Sequence, residues 1–100
     1  MLLLGDLEFR SRLWVGTGRY TDFDTMARVH DASGTQLVTM DVRRLDSSDN
    51  GIDNVLSHID RSRVHVLPTT WGCHTAEDAV QTAHLAAELL DTPWIKLDVI

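Results

Sequence analysis

The sequence predicts an α/β fold built on a parallel sheet. Apolar segments with strand character alternate with segments of helical spacing, and short connections separate them. The chain is 43% hydrophobic and 24% charged, which is typical of a globular domain. Its 100 residues suffice for a single domain, residues 1–100. A closed eight-stranded β/α barrel needs roughly 200 residues or more, so this length excludes a complete barrel.

Composition excludes several classes of protein. The net charge of −6 and the absence of a basic stripe disfavour nucleic-acid binding. A single cysteine, Cys73, excludes a disulfide scaffold. No apolar run approaches the roughly 18 to 20 residues of a membrane span, and residues 1–4 are too short for a signal-peptide core. We therefore expect a cytoplasmic protein without a membrane partner.

The first third of the chain predicts a hairpin, a strand and a helix. Leucines and Phe flank a two-residue turn within residues 2–9, which is typical of a hairpin. Residues 13–15 form an apolar run that stops at Gly16-Thr17-Gly18. Helical spacing follows over residues 22–33, with Thr21 as the expected N-cap.

The remaining chain continues the alternation of strand and helix. We expect a strand over residues 36–42, helical spacing over 52–59 and a strand over 64–67 that the next proline ends. A capped helix begins after Thr75, and a final strand covers residues 94–100. The expected apolar face of that helix comprises Ala76, Ala79, Val80, Ala83, Ala87 and Leu90.

Lys96 is the candidate for chemistry that the residues themselves indicate. It is the only lysine of the chain and lies within an apolar strand, where alternation places it on the same face as Asp98. An ammonium on the inner face of a sheet loses hydration, which lowers its pKa and makes the amine a nucleophile toward a ketone or aldehyde. Asp98 is then suited to move protons. The alternative is a partly exposed lysine at a strand end, paired with its neighbour.

Three further motifs leave alternatives open. Gly16-Thr17-Gly18 fits an anion-binding loop or a tight turn between strand and helix. Arg43-Arg44 fits phosphate binding or pairing with local acids such as Asp41 and Asp46. Cys73-His74 lacks a second ligand pair at zinc spacing, and the alternative is a Cys73 nucleophile activated by the N-terminus of the following helix.

Four stretches of the sequence form a familiar pattern by their order and spacing along nearly the whole chain: residues 11–20 (SRLWVGTGRY), 38–44 (VTMDVRR), 67–80 (LPTTWGCHTAEDAV) and 95–99 (IKLDV). In these stretches the chain resembles the thiazole synthases, the β/α-barrel enzymes of bacterial thiamine biosynthesis. The resemblance implies a (β/α)8 TIM barrel. This chain would form its N-terminal part, a hairpin with about the first four strands and three helices.

The resemblance also implies an activity. Enzymes of this family are sulfur-transferring transferases that make the thiazole phosphate from 1-deoxy-D-xylulose 5-phosphate, dehydroglycine and a sulfur-carrier protein thiocarboxylate. The catalytic lysine, which forms a Schiff base with the sugar ketone, matches Lys96, and the acid that assists proton transfer matches Asp98. The resemblance implies no metal and no organic cofactor. It implies a cytoplasmic homo-oligomer that contacts the sulfur carrier.

This chain departs from the family pattern at several positions. Asp98 stands where the family usually has glutamate, and Asp41 stands where a small apolar residue is usual. Thr69 and Trp71 replace the asparagine and alanine of the usual Leu-Pro-Asn-Thr-Ala-Gly-Cys. The family's further catalytic aspartate and phosphate-binding loops have no counterpart here. The alternative is therefore an inactive truncated paralogue that oligomerises or complements another half-barrel, and an aldolase-like Schiff-base enzyme is a third possibility.

Overall fold

The computed structural model describes residues 1–44 and 51–100 and contains a hairpin, a parallel sheet and three α-helices. The elements are β1 (Leu2–Leu4), β2 (Leu7–Phe9), β3 (Val15–Gly16), α1 (Phe23–Ser33), β4 (Leu37–Asp41), α2 (Ile52–Leu56), β5 (His65–Thr69) and α3 (Ala76–Leu90). A 3-10 turn, Val42–Arg44, follows β4. The sheet has the order β3-β4-β5 with parallel pairing throughout, which confirms the predicted α/β class. The polar stretch 46–50 lies outside the described residues.

The N-terminal hairpin forms as predicted. β1 and β2 pair antiparallel, with Leu4 opposite Leu7 across the turn. Gly5 has a φ of +56°, whereas Asp6, the second turn residue, does not have a positive φ, and this combination is typical of a type II′ turn. A Cβ on Gly5 would lie 3.1 Å from the ring of Trp94, so glycine also makes room for the indole.

Helix α1 begins one residue later than the predicted cap implies. Asp22, not Thr21, is the N-cap, because its carboxylate accepts a hydrogen bond of 2.6 Å from the backbone N–H of Thr25. That bond lowers the pKa of Asp22. Gly34 ends the helix with a φ of 68°, a left-handed conformation that glycine adopts without steric cost.

The helices cover one face of the sheet. Val38 and Met40 of β4 and Val66 of β5 point toward the helices and are buried. Alternate residues point the other way. We call that second face, which carries Thr39, Asp41, Leu67 and Thr69, the inner face. The buried core comprises Met26, Val38, Met40, Val42, Val55, Ile59, Val64, Val66, Ala86 and Leu90.

The buried side of α3 differs from the predicted one, so the prediction of this face was wrong. Ala79, Ala86 and Leu90 are buried, whereas Val80 is 56% exposed and Ala76 and Ala87 are exposed too. Apolar residues occur almost all round this helix, so their spacing alone leaves the buried side undetermined. Contact with β5 and with the turn after β4 selects it.

Pro68 lies within β5 and does not end it, contrary to the prediction. It pairs with Met40, and its carbonyl accepts a hydrogen bond from the Lys96 N–H at 2.9 Å. The N–H and C=O groups of one residue face the same neighbour in a parallel sheet. The position where Pro68 lacks an N–H therefore points away from β4, toward Lys96, and the pairing of β5 with β4 is unaffected.

The predicted strand over residues 94–100 does not form; only one isolated parallel β-bridge is present there. Residues 94–100, which we call the edge segment, pair with β5 only at Thr69 and Lys96. On one side of this bridge Pro68 has no N–H to donate. On the other side the Thr70 hydroxyl accepts the Asp98 N–H at 2.8 Å, so a backbone carbonyl does not receive it. The regular ladder is interrupted on both sides, and this explains the difference from the prediction.

The apolar side chains of the edge segment that were expected to pack under the helices are covered only in part. Ile95 packs against the core on the helix side, as expected. Leu97 and Val99 were expected on that side as well, and they are 69% and 49% exposed. No helix among the described residues lies over that part of the edge segment.

A pair of leucine variants tests the corrected face of α3. Leu90→Ala removes a fully buried side chain and should lower the free energy of unfolding by about 2 to 5 kcal/mol. Leu89→Ala, at a position that is 48% exposed, should cost about 1 kcal/mol or less. Urea denaturation measures both, and equal losses would contradict the assigned face.

Asp60 should contribute to the loss of stability of the protein at acid pH. Hydrogen bonds from Ser62, and then from Arg63, lower the pKa of this carboxyl from 3.8 to about 2. A lowered pKa in the folded state stabilises the fold above pH 3.8, and this contribution disappears as the pH falls to about 2. Asp60→Asn should therefore reduce the loss of stability between pH 4 and pH 2, measured by urea denaturation at each pH, and an unchanged profile would contradict this role.

Candidate active site at the carboxyl edge of the sheet

The loops that follow β3, β4 and β5 meet at one edge of the sheet, because the three strands are parallel. The first loop is a well-held turn. The Gly16 carbonyl accepts hydrogen bonds from the Tyr20 hydroxyl at 3.2 Å and from Nε2 of the buried His30 at 3.0 Å. The Thr17 hydroxyl donates to the Thr39 carbonyl at 3.0 Å. These contacts favour the interpretation of Gly16-Thr17-Gly18 as a tight turn.

A row of three polar residues crosses the inner face at this edge. Asp41, the last residue of β4, pairs in register with Thr69, the last residue of β5, and Thr69 pairs with Lys96. Residues paired in this way project from the same face of a sheet. The Thr69 side chain is almost fully buried, and its hydroxyl donates to Oδ1 of Asp41 at 2.6 Å. The sheet register therefore places Lys96 in the same row as a carboxylate.

Thr70 attaches the edge segment to β5. Its side chain is fully buried, and its hydroxyl accepts from the Asp98 N–H at 2.8 Å and donates to the Asp98 carbonyl at 2.7 Å. Both backbone groups of Asp98 are thus held by one side chain. The half-buried Asp98 carboxyl lies two residues beyond Lys96, and the two side chains form no ion pair within 4 Å in the described part of the chain.

Lys96 has a different environment from the one the sequence predicts. Its side chain is exposed, so the expected loss of hydration is absent from this structure. Lys96 lines a cavity of about 350 Å³ between the inner face and the hairpin, together with Leu67 and Trp94. The same cavity is lined by Trp14, whose buried indole N–H has no hydrogen-bond partner among the described residues.

Arg43 links two of the loops at this edge. Its guanidinium donates to the Gly72 carbonyl at 3.1 Å and lies 3.9 Å from the carboxylate of Asp78, in the first turn of α3. Arg43 therefore pairs with a nearby acid, as one of the two interpretations of Arg43-Arg44 expects, and this acid is Asp78. Asp46 lies outside the described residues. Trp71, in the same loop as Gly72, is 45% exposed.

Cys73 is poorly suited to nucleophilic catalysis. The residue is fully buried, and its sulfur lies 3.4 Å from the Thr82 hydroxyl of α3, within hydrogen-bond distance. A catalytic thiol needs access to its substrate. The parts of the chain that the structure describes contain no group of three or more His, Cys, Asp or Glu residues placed to hold a metal ion.

Two features of this edge are not predicted by the sequence. Asp41 accepts a hydrogen bond from Thr69, on the neighbouring strand. The imidazole of His30, a residue without a predicted role, holds the glycine turn. The position of Asp41 at the end of a strand, on the face opposite Val38 and Met40, is a signal that strand alternation makes available.

A parallel sheet of β/α units, with its loops gathered at the carboxyl edge, places the chain in the α/β class of proteins. The family model of thiazole biosynthesis protein ThiG matches residues 3–100, and the chain belongs to that family. The thiazole synthase of Solibacter usitatus (strain Ellin6076) is 48% identical over 99 residues. The thiazole synthases of Geobacter sp. (strain M21) and Aquifex aeolicus (strain VF5) are 46% and 42% identical over 99 and 93 residues.

These alignments cover most of this chain and a minor part of each relative. They include 99% of the chain and 38% of the Solibacter and Geobacter proteins, and 93% of the chain and 35% of the Aquifex protein. The chain therefore spans little more than a third of the length of the thiazole synthases that it matches. Within residues 1–44 and 51–100, no helix is both long and apolar enough to cross a membrane.

Thr70→Val should detach the edge segment from β5. The change keeps the shape of the side chain and removes the hydroxyl that holds both backbone groups of Asp98, at an expected cost of about 1 to 3 kcal/mol. Hydrogen exchange at the Asp98 amide should become faster, while Thr21→Val, at an exposed position, should leave it unchanged. Unaltered protection of Asp98 in Thr70→Val would contradict the role of Thr70.

Proposed function

We propose that this chain carries the Schiff-base lysine of a thiazole synthase. Family membership over residues 3–100 supports the reaction class. The observation that supports the residue is the position of Lys96, which shares a row with the final residues of β4 and β5. In α/β enzymes this carboxyl edge is where substrates bind. The substrates are those of the family: 1-deoxy-D-xylulose 5-phosphate, dehydroglycine and the thiocarboxylate of a sulfur-carrier protein.

The chemistry of this chain's own residues begins with the amine of Lys96. The amine attacks the sugar ketone, the ketone oxygen leaves as water, and an iminium remains. Asp98, two residues further along the edge segment, moves protons as the imine isomerises. Sulfur from the thiocarboxylate and condensation with dehydroglycine then complete the thiazole ring. This makes the enzyme a sulfur-transferring transferase, and we place it in the cytoplasm as a homo-oligomer.

We further propose that the sheet is part of a (β/α)8 barrel. Two features of the inner face support closure by further strands. A cavity of about 350 Å³ lies over it, and the buried indole N–H of Trp14 lacks an acceptor among the described residues. Leu97 and Ile100 of the edge segment are exposed apolar side chains, which a further β/α unit of a barrel would cover.

Borohydride trapping tests Lys96 directly. The full natural polypeptide is incubated with 1-deoxy-D-xylulose 5-phosphate, reduced with borohydride and mapped by peptide mass spectrometry. We expect the adduct on Lys96, and we expect its loss in Lys96→Arg, because arginine keeps the positive charge and is not a nucleophile at neutral pH. Lys96 is the only lysine within residues 1–100, so the assignment within this chain is unambiguous.

An adduct located on another residue would refute the assignment of Lys96. No adduct in a folded protein would favour the inactive, oligomerising half-barrel, which the exposed apolar side chains of the edge segment also fit. Light scattering then separates a self-associating chain from a monomer.

A further inference from the structure

The position of Asp41 suggests a role beyond pairing two strand ends. Asp41 ends β4 on the inner face and is only half-buried. Its Oδ1 accepts a 2.6 Å hydrogen bond from Thr69, which is itself 2% exposed. The Thr69 hydroxyl oxygen in turn accepts the backbone N–H of Trp71 at 3.2 Å. The buried Thr69 hydroxyl, which makes these two hydrogen bonds, thus fixes the orientation of the Asp41 carboxylate.

The register relates this carboxylate to Lys96. Thr69 is the direct row neighbour of Asp41 on one side and of Lys96 on the other. Adjacent strands lie about 4.8 Å apart, so the Asp41 and Lys96 backbones are separated by about 10 Å across the small Thr69 side chain. Lysine carries its amine on a flexible four-carbon stem, which can lean along the row toward β4.

We infer that Asp41, held by Thr69, is the counter-ion of the iminium that forms on Lys96. The inference rests on the proposed function. When the amine attacks the ketone, the carbon–oxygen double bond opens. The ketone oxygen takes one proton from the amine and one from an acid, and it leaves as water. The nitrogen retains one hydrogen and a positive charge, so an oriented carboxylate in the same row stabilises the product and the transition state that leads to it.

Asp98 and Asp41 then differ in role because they differ in position. Asp98 lies two residues beyond Lys96 on the edge segment itself, and Thr70 holds its backbone. Asp41 belongs to the regular ladder between β4 and β5, and a buried donor orients its carboxylate. The acid that follows the lysine along the chain suits proton transfer, and the oriented carboxylate in the row suits charge stabilisation.

Two conservative variants separate charge from structure. Asp41→Asn removes the negative charge and keeps an oxygen that can accept the Thr69 hydrogen bond. Thr69→Val keeps the charge and removes the hydrogen bond. In the full natural polypeptide, we expect Asp41→Asn to slow borohydride trapping of 1-deoxy-D-xylulose 5-phosphate on Lys96 roughly tenfold, with an unchanged urea midpoint. Thr69→Val should slow it less, and Asp41→Glu should restore most of the rate.

The controls distinguish this inference from the proposed function. Asp24→Asn changes an exposed acid in the first turn of α1 and should trap at the wild-type rate. If the wild type traps on Lys96 and Asp41→Asn traps equally fast, the counter-ion role is refuted while the Schiff base stands. If Asp41→Glu traps no faster than Asp41→Asn, the role is likewise refuted. If the wild type forms no adduct on Lys96, both proposals fail together.

Discussion

Parallel pairing of β4 with β5 determines where each polar group of the inner face lies. Five residue pairs in register bring Asp41 beside Thr69, and the bridge from Thr69 extends the same row to Lys96. Because side chains alternate strictly along a strand, a shift of β4 by one residue would turn Asp41 away from the inner face, and the same shift of β5 would turn Thr69 away. Val38, Met40 and Val66 resist such a shift, since each would leave the core. Packing of these side chains on the helix side therefore fixes the positions of the polar residues on the inner face.

The edge segment is held in a different way. Two residues on either side of Thr69 interrupt the ladder between β5 and the edge segment. Pro68 lacks an N–H, and Thr70 binds the Asp98 backbone through its side chain instead of its carbonyl. The segment that carries Lys96 is therefore held by backbone and side-chain hydrogen bonds together. Lys96 bonds through its backbone to Pro68 and Thr70, the Thr70 hydroxyl binds both backbone groups of Asp98, and the Ile100 N–H donates to the Cys73 carbonyl at 2.9 Å.

Two of the residues that depart from the pattern expected of the thiazole synthases are joined in this structure. The Asp41 and Thr69 side chains are hydrogen-bonded to each other. Positions that share a side-chain hydrogen bond do not act independently. We therefore interpret these two departures as one connected change at the carboxyl edge, in the same row as Lys96.

Much of this protein followed from local sequence. The hairpin turn at Gly5, the cap at Thr75 and the end of α1 at Gly34 depend on residues close in sequence, so their chemistry is visible without the fold. The lone Lys96 and the acid two residues later were visible for the same reason. The sequence pattern was also specific enough to identify the family, which the match over residues 3–100 confirms.

Only the tertiary structure decided how distant residues meet. Periodicity could not choose the buried side of α3, because apolar residues surround the helix and contact with β5 makes the choice. The continuation of β5 through Pro68 depends on which neighbour its missing N–H faces, and the hydrogen bond between Asp41 and Thr69 joins residues 28 positions apart. Such contacts arise from packing between elements, whereas the sequence by itself determines caps, turns and the order of strands and helices.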